Sequence, residues 1–320
     1  MTVSVADVLA AHEAGDTIAL ATSGTSGAPR SVVRTTASWW SSFDAYSELS
    51  GVVAGSRLWL PGPLAATANL FAAVHAEVVG ASVVPSASGA DRACLTPALL
   101  DRHLSLLAPG TRVTVAGDRL TLALADRAEA TGLVVAHYYG AAELSFVAAG
   151  REEASLHAFP GVDVEDRDGE LWARSPYLAL GYAGNGSGPL RRDGAWATVG
   201  DRGYVVDGRV LVQGRPETVT TAGVTVLLAE VERALSGATG RPVACFGVPR
   251  ASVGEELAAA VTSEDDLARV RSAAREVLAP GHRPRRWLVV DAMPLTPAGK
   301  VDRDALRSLV RPDGSDTMPA

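Results

Sequence analysis

The segment "LTPAGKVDR", residues 295–303, holds the chain's one lysine, Lys300; the other 28 of the 29 basic residues are arginine. An ammonium is a compact point charge, whereas a guanidinium is a broad planar fork with delocalised charge. One ammonium thus remains where arginine stands almost everywhere else, in a loop-like Pro/Gly setting near the C-terminus. Far upstream, "TSGTSGAPR", Thr22 to Arg30, interleaves hydroxyl residues with Gly24 and Gly27. Backbone N–H groups and side-chain donors in such a loop suit phosphate oxygens. It is not a Walker loop, which ends in Gly-Lys-Ser/Thr and opens a helix; here Pro29 is followed by the strand-like "SVV". Alone, the plainer reading of the segment is an ordinary loop.

Two further segments carry chemistry. "YYGAAE", Tyr138 to Glu143, ends a strand-like run with an aromatic able to stack on a base, turns at Gly140 and presents a carboxylate suited to Mg²⁺. "TVGDRGY", Thr198 to Tyr204, places Asp201 after a glycine, with "QGRPE" and Arg215 following. A buried aspartate accepting bonds from vicinal hydroxyls is a common way to hold a ribose. A strand-to-turn corner and a hairpin-turn aspartate are the plainer readings of these two.

The elements that must position these residues follow from the pattern. "DTIALATSGTSGAPRSVVRTT" reads as strand, loop, strand, and "ASWWSSFDAYSEL", Ala37 to Leu49, as one helix closed by Gly51. Short buried strands "RLWL", "ASVVP" and "RVTVAG", with helical stretches "PALLDRHLSLL" and "LTLALADRAEATG", predict a layered α/β domain. After about residue 150, "DVEDRDGELWAR" and "RGYVVDGRVLVQGR" each set Asp-Gly between alternating segments, a hairpin signal. Then come a helix "EVERALSGATG", a strand "PVACFGVP", an amphipathic helix "EDDLARVRSAAREVL", a strand "RRWLVVD" and a short helix "RDALRSLV". The boundary falls at the Pro/Gly of "QGRPET". The expectation is an α/β fold with a large domain over 1–213, a hinge at 214–217, a small α+β domain over 218–310 and an unordered tail over 311–320.

A chain of 320 residues accommodates about two domains at roughly 150 residues each. Its 47% hydrophobic content supports a sizeable core, and the net charge of −7 gives no basic field for nucleic acid. A local cluster, Arg283, Arg285 and Arg286, is a candidate for a phosphorylated small molecule. The first 29 residues lack Lys and Arg, and no apolar run has membrane-spanning length, so the expectation is a cytoplasmic protein with no membrane partner. Cys94 and Cys245 lie far apart, and six histidines show no H-E-x-x-H pairing, so neither disulfide framework nor zinc site is indicated.

In order and spacing, these segments resemble the adenylate-forming enzymes: acyl-CoA synthetases, peptide-synthetase adenylation domains and luciferases. Thr22 to Arg30 resembles that family's "TSGTTGxPK", Tyr139 to Glu143 its "YGxTE", and "GELWARSPYLALGY" (Gly169 to Tyr182) its "GELxxxGxxxxxGY". Val199 to Tyr204 resembles "TGDxxx", "GRPETVTTAGVTVLLAEVERAL" resembles "GRxDDxIxxxGxxVxPxEIE", and "PLTPAGKVDR" resembles "PxTxxGKxxR". The resemblance covers nearly the whole chain. It implies a large nucleotide- and acid-binding domain and a small mobile C-terminal domain of the acyl-CoA synthetase type.

The activity it implies is AMP-forming ligation: ATP and a carboxylic acid give an acyl-adenylate, and the acyl group passes to the thiol of CoA. Thr22, Ser23, Gly24, Thr25, Ser26 and Gly27, with Arg30 in place of the usual lysine, would hold the β- and γ-phosphates. Tyr139 would stack on adenine with Gly140 beside it in the nucleotide site, Glu143 would bind Mg²⁺, and Asp201 with Arg215 would hold the ribose. Lys300 would bridge the attacking carboxylate and the α-phosphate. Glu217 falls at the hinge position, and rotation there would exchange Lys300 for the loop at Ala222 and Gly223, which forms the channel for the pantetheine thiol.

Four departures bear on that reading. Only 21 residues precede Thr22, Arg30 replaces lysine, Ala142 replaces a threonine that contacts the α-phosphate, and "LPGPLAATAN" lacks a histidine common where the acid enters. They leave two alternatives: a shortened homologue binding nucleotide or acyl-CoA without turnover, and an enzyme loading a carrier-protein thiol. The acid pocket is expected among Trp39 and Trp40, the turn Val115 to Leu120 and "YYGAAELSF". The acid's identity and the oligomeric state, a homodimer included, stay open.

Overall fold

The structure, a computed structural model, describes residues 3–22, 30–184, 186, 188–214, 217–221, 224–250 and 254–310. The chain divides into two compact units, residues 1–212 with 297–299, and residues 213–296 with 300–320.

The larger unit is built on a mixed sheet that has thirteen strands among the described residues. Five of them, Arg57–Trp59, Ser82–Val84, Arg92–Leu95, Arg112–Val115 and Val134–Ala141, run parallel. Apolar runs such as Val113 and Val115, both wholly buried, are what strands covered on two faces require. Helices Thr67–Val78, Pro97–His103 and Leu122–Ala130 lie between them in the chain. Thr96 and Thr121 start the last two by accepting from the backbone N–H groups of Leu99 and Leu124 at 3.2 and 3.3 Å. Beyond Val134–Ala141 the sheet continues antiparallel through Ser145–Gly150 and His157–Ala158 to Arg209–Gly214, Arg202–Val206 and Glu170–Arg174. Both Asp-Gly signals become hairpin turns, with Asp168 and Asp207 at φ 53° and 51° and Gly169 and Gly208 at 73° and 74°.

A separate sheet joins Thr17–Thr22, Arg30–Thr35 and Gly181–Tyr182. The single helix expected over 37–49 is two, Ala37–Trp40 and Phe43–Ser50. The hydroxyls of Ser41 and Ser42 turn back onto the carbonyls of Ser38 and Trp39 at 3.4 and 2.7 Å and compete with the helical ladder. The core beneath is aromatic: Phe71 meets Trp39, Tyr46 and Phe146 edge-on at 5.3, 5.0 and 5.0 Å.

The smaller unit carries a five-stranded sheet of Thr218–Thr221, Val224–Leu227, Ala244–Arg250, Gly254–Val261 and Arg286–Val289. Its helices are Leu228–Thr239, Glu264–Val277 and Arg303–Leu309. Leu228, Val231 and Leu235 from the first and Val270 and Ala274 from the second are buried in one cluster with the sheet's Val219, Val226 and Leu257. Ser263 caps the second helix, which opens with Glu264, Asp265 and Asp266 at the positive end of its dipole.

Two members of the arginine cluster are engaged within the unit, while Arg285 is exposed. Arg286 is buried and faces Glu256 at 3.6 Å, and Arg283 donates to the carbonyls of Leu278 and Arg275 at 2.9 and 2.8 Å. Two of the three guanidiniums are thereby committed to the unit's own packing.

Candidate nucleotide site

Tyr139 stands near the end of the strand Val134–Ala141, where the register with Ser145–Gly150 shifts between Tyr139 and Gly140. Gly140 is required there, because a Cβ would overlap the carbonyl oxygen of Ser145. The irregular register turns the chain at Ala141, whose carbonyl accepts from the N–H of Leu144 at 3.1 Å. The hydroxyl of Tyr139 donates to Oδ2 of Asp201 at 2.8 Å, joining two motifs 62 residues apart. Asp201 is buried at 9% exposure.

Asp201 is set by its neighbours. Thr198, wholly buried, donates its hydroxyl to Oε1 of Glu170 at 2.7 Å and accepts from the N–H of Gly200 at 3.0 Å. Glu170 also pairs with Arg191, and the carbonyl of Asp201 accepts from Leu171 at 2.9 Å. The "GEL" and "VGD" segments are thus adjacent, with Glu170 opposite Arg202 in the sheet. Burial pushes the Glu170 carboxyl up, but the bonds from Arg191 and Thr198 outweigh it and hold the group below its ordinary value.

Glu143 is buried at 6% exposure in the turn after Tyr139. Its Oε1 accepts from the hydroxyl of Tyr182 at 2.8 Å, and its carbonyl accepts from Ala179 at 2.8 Å. Among the described residues no group of three or more His, Cys, Asp or Glu is placed to hold a metal ion, so Glu143 stands as a single carboxylate.

Arg34 was not a candidate, and it lies at the centre of this arrangement. It is wholly buried on the strand Arg30–Thr35 and donates to the carbonyl of Ala142 at 2.6 Å and to that of Tyr177 at 3.4 Å. Burial lowers the guanidinium to about 10, and the negative charge of Glu143 acts the other way. It therefore stays protonated at neutral pH. A signal was present in the sequence: Arg34 shares the parity of the apolar Val32 on a two-residue period, which points a charge inward.

The phosphate loop's flanks face each other, Thr22 opposite Arg30 in the strand register. Ser23, Gly24, Thr25, Ser26 and Gly27 lie outside the described residues, as do Arg215, Ala222, Gly223 and the tail over 311–320. In the smaller unit, Lys300 is exposed on a tight turn where Leu295 bridges Val301 and the N–H of Thr296 donates to the Lys300 carbonyl at 2.7 Å. Glu217 pairs with Arg303 at 3.3 Å, and Arg303 reaches Glu232 and the carbonyl of Cys245 at 2.8 and 3.0 Å.

Three side chains of the segments expected to surround the acid are engaged in packing. Trp39 is 1% exposed within the aromatic core, Trp40 stacks on His12 at 3.7 Å, and Leu120 is wholly buried.

Known proteins resemble the chain in sequence and in fold. The AMP-binding enzyme C-terminal domain matches residues 230–300. An uncharacterised acyl-CoA ligase, YhfT of Bacillus subtilis, is 24% identical over 89% of this chain and 67% of its own length. ATP-bound MatB of Rhodopseudomonas palustris shares the fold with a TM-score of 0.75 at 23% identity, over 91% of this chain and 67% of that one. The amide bond synthetase McbA of Marinactinospora thermotolerans aligns with a TM-score of 0.70 at 26% identity, over 89% and 67%. The chain thus spans about two thirds of the length of each. The matching domain and these relatives support an adenylate-forming protein of the acyl-CoA synthetase type. No helix among the described residues is long and apolar enough to cross a membrane.

Proposed function

We propose that the protein activates a carboxylic acid with ATP, forming an acyl-adenylate, and passes the acyl group to the thiol of CoA. The observation that carries this reading is the 2.8 Å bond from Tyr139 to Asp201. It joins an aromatic face for a base and a carboxylate for ribose hydroxyls, and one nucleoside needs both together.

In the first step a carboxylate oxygen of the acid attacks the α-phosphorus, the bond to the bridging oxygen breaks, and pyrophosphate leaves. Glu143 fits Mg²⁺, which uses one or two carboxylates and otherwise phosphate oxygens and water; when bound, the ion draws negative charge from the phosphates. The ammonium of Lys300 supplies compact positive charge to the attacking carboxylate and the α-phosphate. Ala142 offers no hydroxyl to that phosphate, which leaves more of the task to Lys300.

In the second step the thiol sulfur attacks the acyl carbonyl, AMP leaves and the thiol proton passes to solvent or base. We assign residues 1–213 to the larger domain, 214–217 to the hinge and 218–310 to the smaller domain that rotates between steps. The Glu217–Arg303 pair supports this division, because it ties the hinge residue to the segment three residues after Lys300. Hinge and lysine loop then travel together.

The acceptor has a second reading. McbA, at 26% identity, is by name an amide bond synthetase, so an acceptor other than CoA, an amine or a carrier-protein thiol, is the competing proposal. The test is acid-dependent exchange of pyrophosphate into ATP over a panel of carboxylic acids, followed by product analysis with free CoA. Exchange with several acids and a thioester product support the proposal. Adenylate that accumulates without thioester moves the reading to another acceptor, and no exchange with any acid refutes it.

A further inference from the structure

The phenol of Tyr182 is held from three directions. Its strand, Gly181–Tyr182, pairs with Val33 and Val32 of the strand that follows the phosphate loop. The backbone N–H of Leu190 donates to the phenol oxygen at 3.1 Å. Gly188 lies against the ring, where any Cβ would overlap it. With its oxygen accepting from Leu190, the hydroxyl's one proton is directed to Oε1 of Glu143 at 2.8 Å.

We propose that Tyr182 is a positioning residue for the metal of the nucleotide: by occupying Oε1 it fixes the rotamer of Glu143 and presents Oε2 to Mg²⁺. This inference rests on the adenylate-forming reading. No described residue donates to Oε2, so the phenol's bond selects which oxygen faces a cation. A hydrogen bond to a ligating carboxylate sets its orientation, and removing such an outer partner typically lowers metal affinity about 10–100-fold. The closing "GY" of the motif thereby gains a physical task, and Gly188 a reason to lack a side chain.

The test is Tyr182→Phe, which keeps the ring and deletes the hydroxyl. ATP binding is measured by calorimetry at graded Mg²⁺ and again in EDTA, with thermal unfolding of each variant recorded. The expected result is a rise of about 10–100-fold in the Mg²⁺ concentration giving half-maximal binding, with metal-free ATP binding unchanged. An unchanged Mg²⁺ dependence overturns the proposal. An equal loss of metal-free ATP binding overturns it too, since Tyr182 then acts through packing. Glu143→Gln separates the two layers: if it leaves the Mg²⁺ dependence intact, the assignment of the metal to Glu143 fails, whereas failure of Tyr182→Phe alone leaves that assignment standing.

Discussion

Thr198→Val is the substitution that most directly tests whether the turn presenting Asp201 is held by side-chain chemistry. The two residues are nearly isosteric, and Thr198 is wholly buried. The change deletes the 2.7 Å bond to the Glu170 carboxylate and the 3.0 Å bond from the Gly200 N–H. A hydrogen bond to a charged group contributes about 1.5–3 kcal/mol and a neutral one about 1 kcal/mol. The added methyl returns about 0.8 kcal/mol, so the net loss is about 2–3 kcal/mol. In a domain of this size that lowers Tm by about 4–12 °C.

The same substitution has a pH signature. A carboxyl held below its ordinary value stabilises the fold above the unfolded pKa of about 4.3 and loses that contribution as pH falls through its folded value. For Glu170 the difference between wild type and Thr198→Val therefore narrows below about pH 4. Thr198→Ser keeps both bonds and is expected to lie close to wild type. Calorimetry of the three proteins at pH 7 and pH 3.5, with KM for ATP alongside, makes the comparison. A Thr198→Val protein melting within a degree of wild type, or a Thr198→Ser protein equally impaired, would sink the account.

Lys300→Ala is expected to lower pyrophosphate exchange by about 10²–10³ while still converting supplied acyl-AMP and CoA to thioester. Lys300→Arg is expected not to restore exchange, and an active arginine variant contradicts the point-charge argument. His75 is wholly buried beside Ser47 at 2.8 Å, and burial pulls it down to about 4. Its contribution to stability is present above about pH 6.5 and is lost as pH falls toward 4. Tm of wild type should consequently fall more steeply over that window than Tm of His75→Gln, and parallel curves refute it. Arg34→Lys is expected to cost about 2–4 kcal/mol in denaturant unfolding, because one ammonium replaces a fork reaching two carbonyls; a loss under 0.5 kcal/mol by the same measurement removes Arg34 from its anchoring role.

Local rules made most elements legible. Asp-Gly at 168–169 and 207–208 gave hairpins because few other pairs tolerate two successive left-handed residues. Gly51 and Gly240 end helices in the same conformation. The strand Gly254–Val261 escaped notice because its Ala258, Ala259 and Ala260 have low β-propensity, and burial between neighbouring strands overrides that preference. Tyr139, Glu143 and Asp201 were visible as motif residues, and Tyr182 and Thr198 fell inside quoted motifs, whereas the bonds that Tyr182, Thr198 and Arg34 make at the site join segments that no short window contains. The ring contacts of Trp39 with Phe71 and of Trp40 with His12 depend likewise on residues distant in sequence.

The arginine-rich composition acquires a physical logic from these contacts. Arg34 binds two carbonyls, Arg303 binds Glu217, Glu232 and the Cys245 carbonyl, and Arg283 binds two carbonyls at a helix end. Each is a task for a planar fork that satisfies several oxygens in fixed directions. Lys300 makes no ion pair among the described residues and sits exposed on a turn held by Leu295 and Val301. An exposed ammonium without an ion pair of its own among the described residues can meet a ligand directly, which is what its proposed role demands. The fork is used where the chain must be held together, and the point charge is kept where something else must be met.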